Sequence, residues 1–536
     1  MAALKIAEYL LRTLEKHGVS RIFGNPGTTE IPLVRACEKR KGLRYVVALS
    51  EVAAVPMADG YARATRSLGV VNLHVAPGLG NGMGNLYTAR VAGTPLLVLV
   101  GGQDRRFLHT NPILWGPVAK MAGSICKSVH SLDTRAGAPV ALRRALRDVM
   151  TPPYAPVALI CPPDLLEEEI AVRPAAVTAR NLAPLSAADA ARYARLLSAS
   201  KNPALVAAED AHWDDASVAL EKLAAALGAP VYVAPYTGVL PVSSSAPCYA
   251  GYLPPSFSQI AARLAPHDAL LFVGGRGLRT TLYSEGRFAQ RKAWLGHNAA
   301  VQAPGGKFEL ARVAGLRDSI TKIRQLLDSA PHARATGSRR PEIALPARRR
   351  KLHPTRAMHA LLGRFRDAIW VDESGLSTSD VRQWMSLRAG EYLINGSGGI
   401  GWGLAAAVGA AIARPRRQVV AAIGDGSALY ASEALWTAGH HGARLLLVVL
   451  SNRRYATLNE AAGRLAGGAL GAFTIEPPVI DFSGLATLYG FRYRAAETEH
   501  ELDAILRKIR GKISANTLLE LKLDPDIKPV TASRHF

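Results

Sequence analysis

The sequence predicts an α/β protein of three doubly wound parallel-sheet domains. Short β-branched apolar runs alternate with helical patterns along the chain, two Pro-containing breaks divide it into three blocks, and the first and third blocks share a strand, glycine loop, helix, strand unit of about 32 residues. Continuous apolar strands separated by helices are buried on both faces, as in parallel sheets covered by helices. Ligands of such sheets sit beyond the C-terminal strand ends, so chemistry is expected in the loops there.

In chain order, Ile6, Leu10 and Leu14 form a helical stripe that stops at Gly18. Lys5, Glu8, Arg12, Glu15 and Lys16 interrupt it with charge, so the stretch reads as a helix and not as a signal peptide. Strands are expected from Tyr45 to Leu49, Val70 to His74, Leu96 to Val100, Leu270 to Val273, Val419 to Ile423 and Leu445 to Leu450. The breaks run from Val172 to Ser186 and from Pro331 to Pro354, where four prolines occur without apolar periodicity. They give domains over 1–175, 187–330 and 354–536. VVNLHVAPGLG from Val70 is answered by QVVAAIGDGS from Gln418, which suggests two similarly built domains.

Apolar residues make up 49% and charged residues 20% of the 536, excluding a disordered or fibrous chain and a small stapled module. Cys37, Cys126, Cys161 and Cys248 lie far apart with no CxxC spacing, so neither a zinc knuckle nor a disulfide framework is expected, and a reducing cytoplasm is the default. No apolar run reaches the roughly 18 residues of a membrane span, so a soluble protein without a membrane partner is expected. The net charge is +23, and eight Lys or Arg against one Glu fall between Pro331 and Arg356, read as a solvated basic linker. Nucleic acid is not expected as a partner.

The strongest local signal is Gly424 to Ser427 (GDGS), directly after a buried strand and opening a helix that Ser427 can cap. Asn452 follows 27 residues after Asp425, at the exit of the strand LLLVVLSN. One carboxylate and one amide oxygen at adjacent strand ends suit a hard divalent ion, and Mg²⁺ held through a diphosphate fits best. Glu51 follows the apolar run YVVAL, so it sits at a strand end, where desolvation favours the protonated carboxyl.

GDGS with its spaced SN resembles the motif of the thiamine diphosphate (ThDP) decarboxylase and acetolactate synthase superfamily, and within it benzoylformate decarboxylases most closely. Phe23 to Pro32 (FGNPGTTEIP), Ser50-Glu51 leading to Ala58 to Ala62 (ADGYA), and Asn72 to His74 followed by Gly78 to Gly84 (GLGNGMG) extend the resemblance over essentially the whole chain. It implies pyrimidine-binding, central and diphosphate-binding domains, in that order. Asp425, the Asn452 side chain and the Arg454 backbone carbonyl are then implied as Mg²⁺ ligands. Gly426, Ser427 and Tyr455 are implied around the diphosphate, the Gly398 carbonyl as acceptor of the cofactor's amino group, and Ile400 as the apolar wedge that bends it. Glu51 is implied as the activating acid, His74 as a proton relay or substrate-orienting group, and Thr28 as a contact to the substrate carboxylate. A homodimer or tetramer with sites at the subunit interface follows from the same resemblance.

The implied reaction is non-oxidative decarboxylation of a 2-oxo acid to an aldehyde. The chain also departs from the pattern. Arg279, Thr280 and Thr281 stand near where the decarboxylase has a second histidine, and Thr457, Leu458 and Ala461 replace a bulkier aromatic-accommodating lining. Carboligation of the acetolactate synthase type is therefore the alternative, and a non-catalytic polyanion-binding protein the remote one. Gly274 to Gly277 (GGRG) lacks the final Gly of a dinucleotide fingerprint, so FAD is not expected. His440 and His441 near a helix end suggest a dipole or surface role, and Lys127, Arg105 and Arg106 read as solvated, although Arg105 lies on a strand-end loop where it could meet an anionic substrate.

Overall fold

The computed structural model describes residues 3–532 except 180, 282, 300, 302, 305, 328–339, 341 and 510–511. Parts of both composition breaks, Arg180 in the first and 331–339 and 341 in the second, therefore lie outside the described residues. Two compact units divide the chain: 1–181 with 397–416 and 429–445, and 182–396 with 417–428 and 446–536.

The first unit is built on β1 (Arg21–Gly24), β2 (Arg44–Val47), β3 (Gly69–Leu73), β4 (Leu96–Gly101), β5 (Val129–Ser131) and β6 (Val157–Cys161). They form a parallel sheet in the order β2-β1-β3-β4-β6-β5, and β3, β4 and β6 are buried along their whole length. Helices α1 (Ile6–Lys16), α2 (Ile31–Glu38), α3 (Glu51–Thr65) and α4 (Val75–Val91) belong to this unit. The expected first stripe is α1, with Ile6, Leu10 and Leu14 all buried and Gly18 at φ +75°.

Helix Gly403–Ala413 packs on α3 through small residues. A Cβ on Gly60 would lie 2.2 Å from the Ala406 carbonyl oxygen, and one on Gly409 would lie 1.9 Å from that of Met57. Only hydrogen fits at these crossings, which brings 397–416 into the first unit. A buried network ties the same parts: Asp59 accepts from Arg63, Thr94 and Trp402, and the Arg63 guanidinium lies 4.5 Å over the Trp402 ring.

The second unit carries two sheets. One contains β7 (Pro203–Ala207), β8 (Val231–Val233), β9 (Tyr249–Tyr252), β10 (Ala269–Val273), β11 (Arg291–Gly296) and β12 (Leu310–Val313), in the order β9-β8-β7-β10-β11-β12. The other contains β13 (Ile369–Glu373), β14 (Tyr392–Ile394), β15 (Val419–Gly424), β16 (Leu445–Ser451), β17 (Arg492–Ala496) and β18 (Thr517–Lys522), in the order β14-β13-β15-β16-β18-β17. Numbered within itself, this last sheet repeats the 2-1-3-4-6-5 order of the first unit, in line with the similarity read between the first and third blocks. The middle sheet follows 3-2-1-4-5-6, and its order reverses between β7 and β10.

The basic segment departs from the expected solvated linker. The Arg340 guanidinium donates to the carbonyls of Arg382, Gln383, Met385 and Ser244, satisfying the C-terminal end of helix Thr378–Trp384. Arg348 and Arg356 pair with Glu499, and Lys351 with Asp524. Arg340, Arg348, Lys351 and Arg356 thus act as clamps, because orphaned helix carbonyls and nearby carboxylates lie within reach, while Arg349 and Arg350 are exposed as the solvated reading expects.

Candidate cofactor site

At the β1 end of the first unit the chain enters a 3₁₀ turn, Thr28–Glu30, capped by Gly27. Thr28 is exposed and is the turn's first residue, so the N-cap position that could have explained it belongs to Gly27. A Cβ on Gly27 would lie 2.3 Å from the His74 imidazole, so the glycine is what lets the ring pack there. His74 follows β3 as the N-cap residue of α4, and Val75 behind it adopts φ +40°, a strained value for a β-branched residue. His74 Nδ1 lies 2.7 Å from Glu30 Oε2 and 3.2 Å from Thr29 Oγ1.

Glu51 is the first residue of α3 and is 5% exposed. Ser50 caps the helix and also hydrogen-bonds Glu433. The Glu51 carboxylate accepts from Asn81 Nδ2 at 3.2 Å, and a Cβ on Gly78 would lie 2.6 Å from Glu51 Oε1. Two motif glycines, Gly27 and Gly78, thus clear space for the His74 imidazole and the Glu51 carboxylate. In the loop Gly398–Gly401, Gly398 and Gly401 take φ of +83° and +99°, and Ile400 is exposed, an apolar side chain suited to cover by a bound group.

A cavity of about 420 Å³ opens at the ends of β4, β5 and β6, with Val75, Leu108, Leu114, Trp115, Leu132 and Pro162 in its wall. Arg105 also lines it, but its guanidinium is held by Asp164 at 2.7 Å and Glu168 at 3.1 Å. That pairing corrects the expectation of an arginine poised for an anionic substrate, since its charge is already met by two carboxylates. His441 is corrected as well. Its Nε2 accepts from the Val47 N–H, and burial followed by the charges of His440, Arg21 and Arg44 lowers its pKa to about 4, so it caps no dipole as a cation.

In the second unit Asp425 opens a four-residue helix at the β15 end. Its Oδ1 accepts from the Gly426 N–H at 2.8 Å and its Oδ2 from the Arg453 N–H at 2.6 Å. Ser427 is the third residue of that helix and not its cap, because the helical turn begins at Asp425. Arg453, at φ +63°, bends the loop after β16 so that its amide reaches Asp425. Asn452 Oδ1 accepts from the Arg454 N–H at 3.2 Å, and the Arg454 carbonyl accepts from Ala456 N–H at 2.9 Å, which leaves that oxygen a second lone pair. Tyr455 packs on Gly426, where a Cβ would lie 2.7 Å from its ring.

Burial pushes the Asp425 carboxyl above its usual range, and amide donors from Arg453, Gly426 and Asn452 pull it back. The Asp425 carboxylate, Asn452 Oδ1 and the Arg454 carbonyl each keep lone pairs beyond these hydrogen bonds, an oxygen set that suits a hard cation. Among the described residues no group of three or more His, Cys, Asp or Glu side chains could hold a metal, so a cation here needs amide and carbonyl oxygens and a ligand's own oxygens.

Three family descriptions match in chain order. They are thiamine pyrophosphate enzyme, N-terminal TPP binding domain, over 4–120; central domain, over 190–301; and C-terminal TPP binding domain, over 373–520. Benzoylformate decarboxylase of Pseudomonas aeruginosa PAO1 is 32% identical over 513 residues, covering 92% of this chain and 94% of that protein. The chain belongs to the thiamine pyrophosphate enzymes. Within that family, the solved ThDP-dependent 4-hydroxybenzoylformate decarboxylase of Rhodococcus jostii RHA1 superposes with a TM-score of 0.90 at 28% identity, covering 98% of this chain and all of that one. An acetolactate synthase large subunit of Lactococcus lactis subsp. lactis is 23% identical over 507 residues, covering 91% of this chain and 87% of that protein. The chain is thus a TPP-dependent enzyme of the decarboxylase and acetolactate synthase family.

Among the described residues, no helix is long and apolar enough to cross a membrane. The Thr281 hydroxyl donates to the Pro255 carbonyl, while Arg279 donates to the Tyr236 carbonyl at 2.6 Å and pairs with Glu209 at 3.3 Å. Tyr236 itself takes φ +55°. At the central strand ends, Phe272, Trp294 and Phe308 leave a cavity of about 10 Å³, room for roughly one water. Sequence reasoning missed Glu30, Glu433 and Tyr236. Glu30 alone had a local signal, its third position after a cap residue.

Proposed function

We propose that the protein catalyses ThDP- and Mg²⁺-dependent, non-oxidative decarboxylation of a 2-oxo acid of the benzoylformate type to an aldehyde. The observation that supports this most is Glu51, buried at the head of α3 with Asn81 beside it and Gly78 clearing its carboxylate. Bound ThDP supplies a nucleophilic carbon and an electron sink for loss of CO₂. Glu51 holds the proton exchanged with the aminopyrimidine nitrogen. Asp425, Asn452 Oδ1 and the Arg454 carbonyl hold Mg²⁺, and Gly426, Ser427 and Tyr455 surround the diphosphate. The Gly398 carbonyl would take the amino group, and Ile400 would be the apolar wedge against the cofactor.

His74 moves a proton or orients substrate, and Thr28 meets the substrate carboxylate. The apolar wall around Trp115 accepts the acyl side chain. Domains over 1–175, 187–330 and 354–536, a homodimer or tetramer with sites at the subunit interface, and a cytoplasmic location complete the reading; FAD has no part in it.

Carboligation is the second reading, favoured by Arg279 and Thr281 standing in the neighbourhood where the decarboxylase has a histidine, with Arg279 paired to Glu209 and the Thr281 hydroxyl bonded to the Pro255 carbonyl. The test offers benzoylformate and pyruvate separately with ThDP and Mg²⁺ and quantifies CO₂ and carbonyl products against Glu51→Gln. Benzaldehyde lost in the variant supports decarboxylation, while acyloin or acetolactate-type products favour the second reading. No CO₂ from either acid, with cofactor bound, overturns the proposal for these substrates.

A further inference from the structure

Glu30 is 2% exposed, and both of its carboxylate oxygens are engaged. Oε2 accepts from the Gly27 N–H at 2.8 Å, and Oε1 accepts from the Thr29 hydroxyl at 2.7 Å. Oε2 also lies 2.7 Å from His74 Nδ1. A backbone N–H can only donate, so Oε2 is an acceptor, and the contact with the imidazole closes when Nδ1 carries the hydrogen. That leaves the ring's lone pair on Nε2.

The surroundings are cut to fit this pair. A Cβ on Gly101, at the end of β4, would lie 1.9 Å from Glu30 Oε1, and one on Gly27 would lie 2.3 Å from the imidazole. Val75 at φ +40° holds the chain immediately after His74 in an uncommon conformation. Close-fitting glycines on both partners and local strain are what a fixed imidazole orientation requires.

We infer that Glu30 is a positioning residue that fixes His74 as its Nδ1–H tautomer and presents Nε2 as the proton acceptor. The inference rests on the reading of His74 as a participant in the reaction. A capping role alone, through the Gly27 N–H, would affect stability but not the imidazole's tautomer.

The experiment labels histidine with ¹⁵N in the full-length protein and reads the tautomer of neutral His74 by NMR, assigned with His74→Ala. The expected result is Nδ1–H in the wild type, a shift toward Nε2–H in Glu30→Ala, and retention of Nδ1–H in Glu30→Gln, whose amide oxygen can still accept. With ThDP, Mg²⁺ and a turned-over 2-oxo acid, kcat in Glu30→Ala falls by at least about tenfold with KM within about threefold, and Glu30→Gln restores most of it. An Nε2–H wild type, or an unchanged tautomer in a folded Glu30→Ala, overturns the inference. Should Glu30→Ala not fold, the wild-type spectrum decides. Full activity in His74→Ala would instead remove His74 from the reaction while leaving the tautomer result standing.

Discussion

The first sheet of the chain and the last share the strand order 2-1-3-4-6-5, yet their C-terminal ends carry different chemistry. The first presents two buried carboxyls, Glu51 heading α3 and Glu30, with the half-buried His74 against the second. The last presents backbone amides and a tight loop around Asp425, which is held by the Gly426 and Arg453 N–H groups. One sheet end is suited to moving protons, the other to holding an anion through a cation. The middle sheet, in the order 3-2-1-4-5-6, has its strand ends filled by Phe272, Trp294 and Phe308. Strand topology alone therefore does not make a site.

This division can be broken by substitution. The largest effect is expected from Glu51→Gln, which should lower kcat by about 10²–10⁴-fold, measured as CO₂ release under saturating cofactor. Asp425→Ala should act differently, weakening Mg²⁺-dependent retention of ThDP by about 10²-fold, measured by calorimetry. If both variants lost only kcat, or both lost only binding, the two ends would not divide the work. A finer contrast comes from two glycines. Gly27→Ala drives a methyl group into His74 and should destabilise by about 1–3 kcal/mol with a fall in kcat. At Gly398 an added Cβ meets nothing within 4 Å, so Gly398→Ala should cost about 1–2 kcal/mol through its φ of +83° alone.

A further contrast separates the two units by pH. In the second unit, burial raises the Asp380 carboxyl to about 6 against hydrogen bonds from Thr531 and Thr355. Its folded value lies above the unfolded one, so its contribution is full below about 4 and is lost as pH rises through about 6, on the order of 3 kcal/mol in total. In the first unit His441 is lowered to about 4, so its contribution is present above about 6.5 and is lost as pH falls through about 4. Hydrogen exchange should show helix Thr378–Trp384 losing protection as pH rises from about 4 to 6, and helix Ala434–His440 losing it as pH falls from about 6.5 to 4. Asp380→Asn and His441→Gln should each flatten their own response.

Much of this was legible in the residues. Apolar runs marked six strands to within one or two positions at each end, because buried parallel strands are continuous in hydrophobicity. GDGS and Asn452 stood out since glycine and a carboxylate at fixed spacing are uncommon. The role of Gly27 and Gly78 as clearances was not legible, because a close approach depends on residues 27 to 47 positions away. Glu30 was missed because its partner His74 lies 44 residues away and only β3 brings it near. Arg340 and Arg105 looked solvated for the same reason, as their partners lie tens of residues distant. The joining of 397–416 to the first unit rests on glycine crossings that no periodicity reports.

The most direct test of the division between the sheet ends is a ThDP titration, with Mg²⁺ present, of the wild type, Glu51→Gln and Asp425→Ala side by side. The account predicts that Glu51→Gln binds cofactor within about tenfold of wild type while releasing almost no CO₂, and that Asp425→Ala needs about 10²-fold more cofactor to bind at all. Wild-type cofactor affinity in Asp425→Ala, or full CO₂ release by Glu51→Gln, would contradict it.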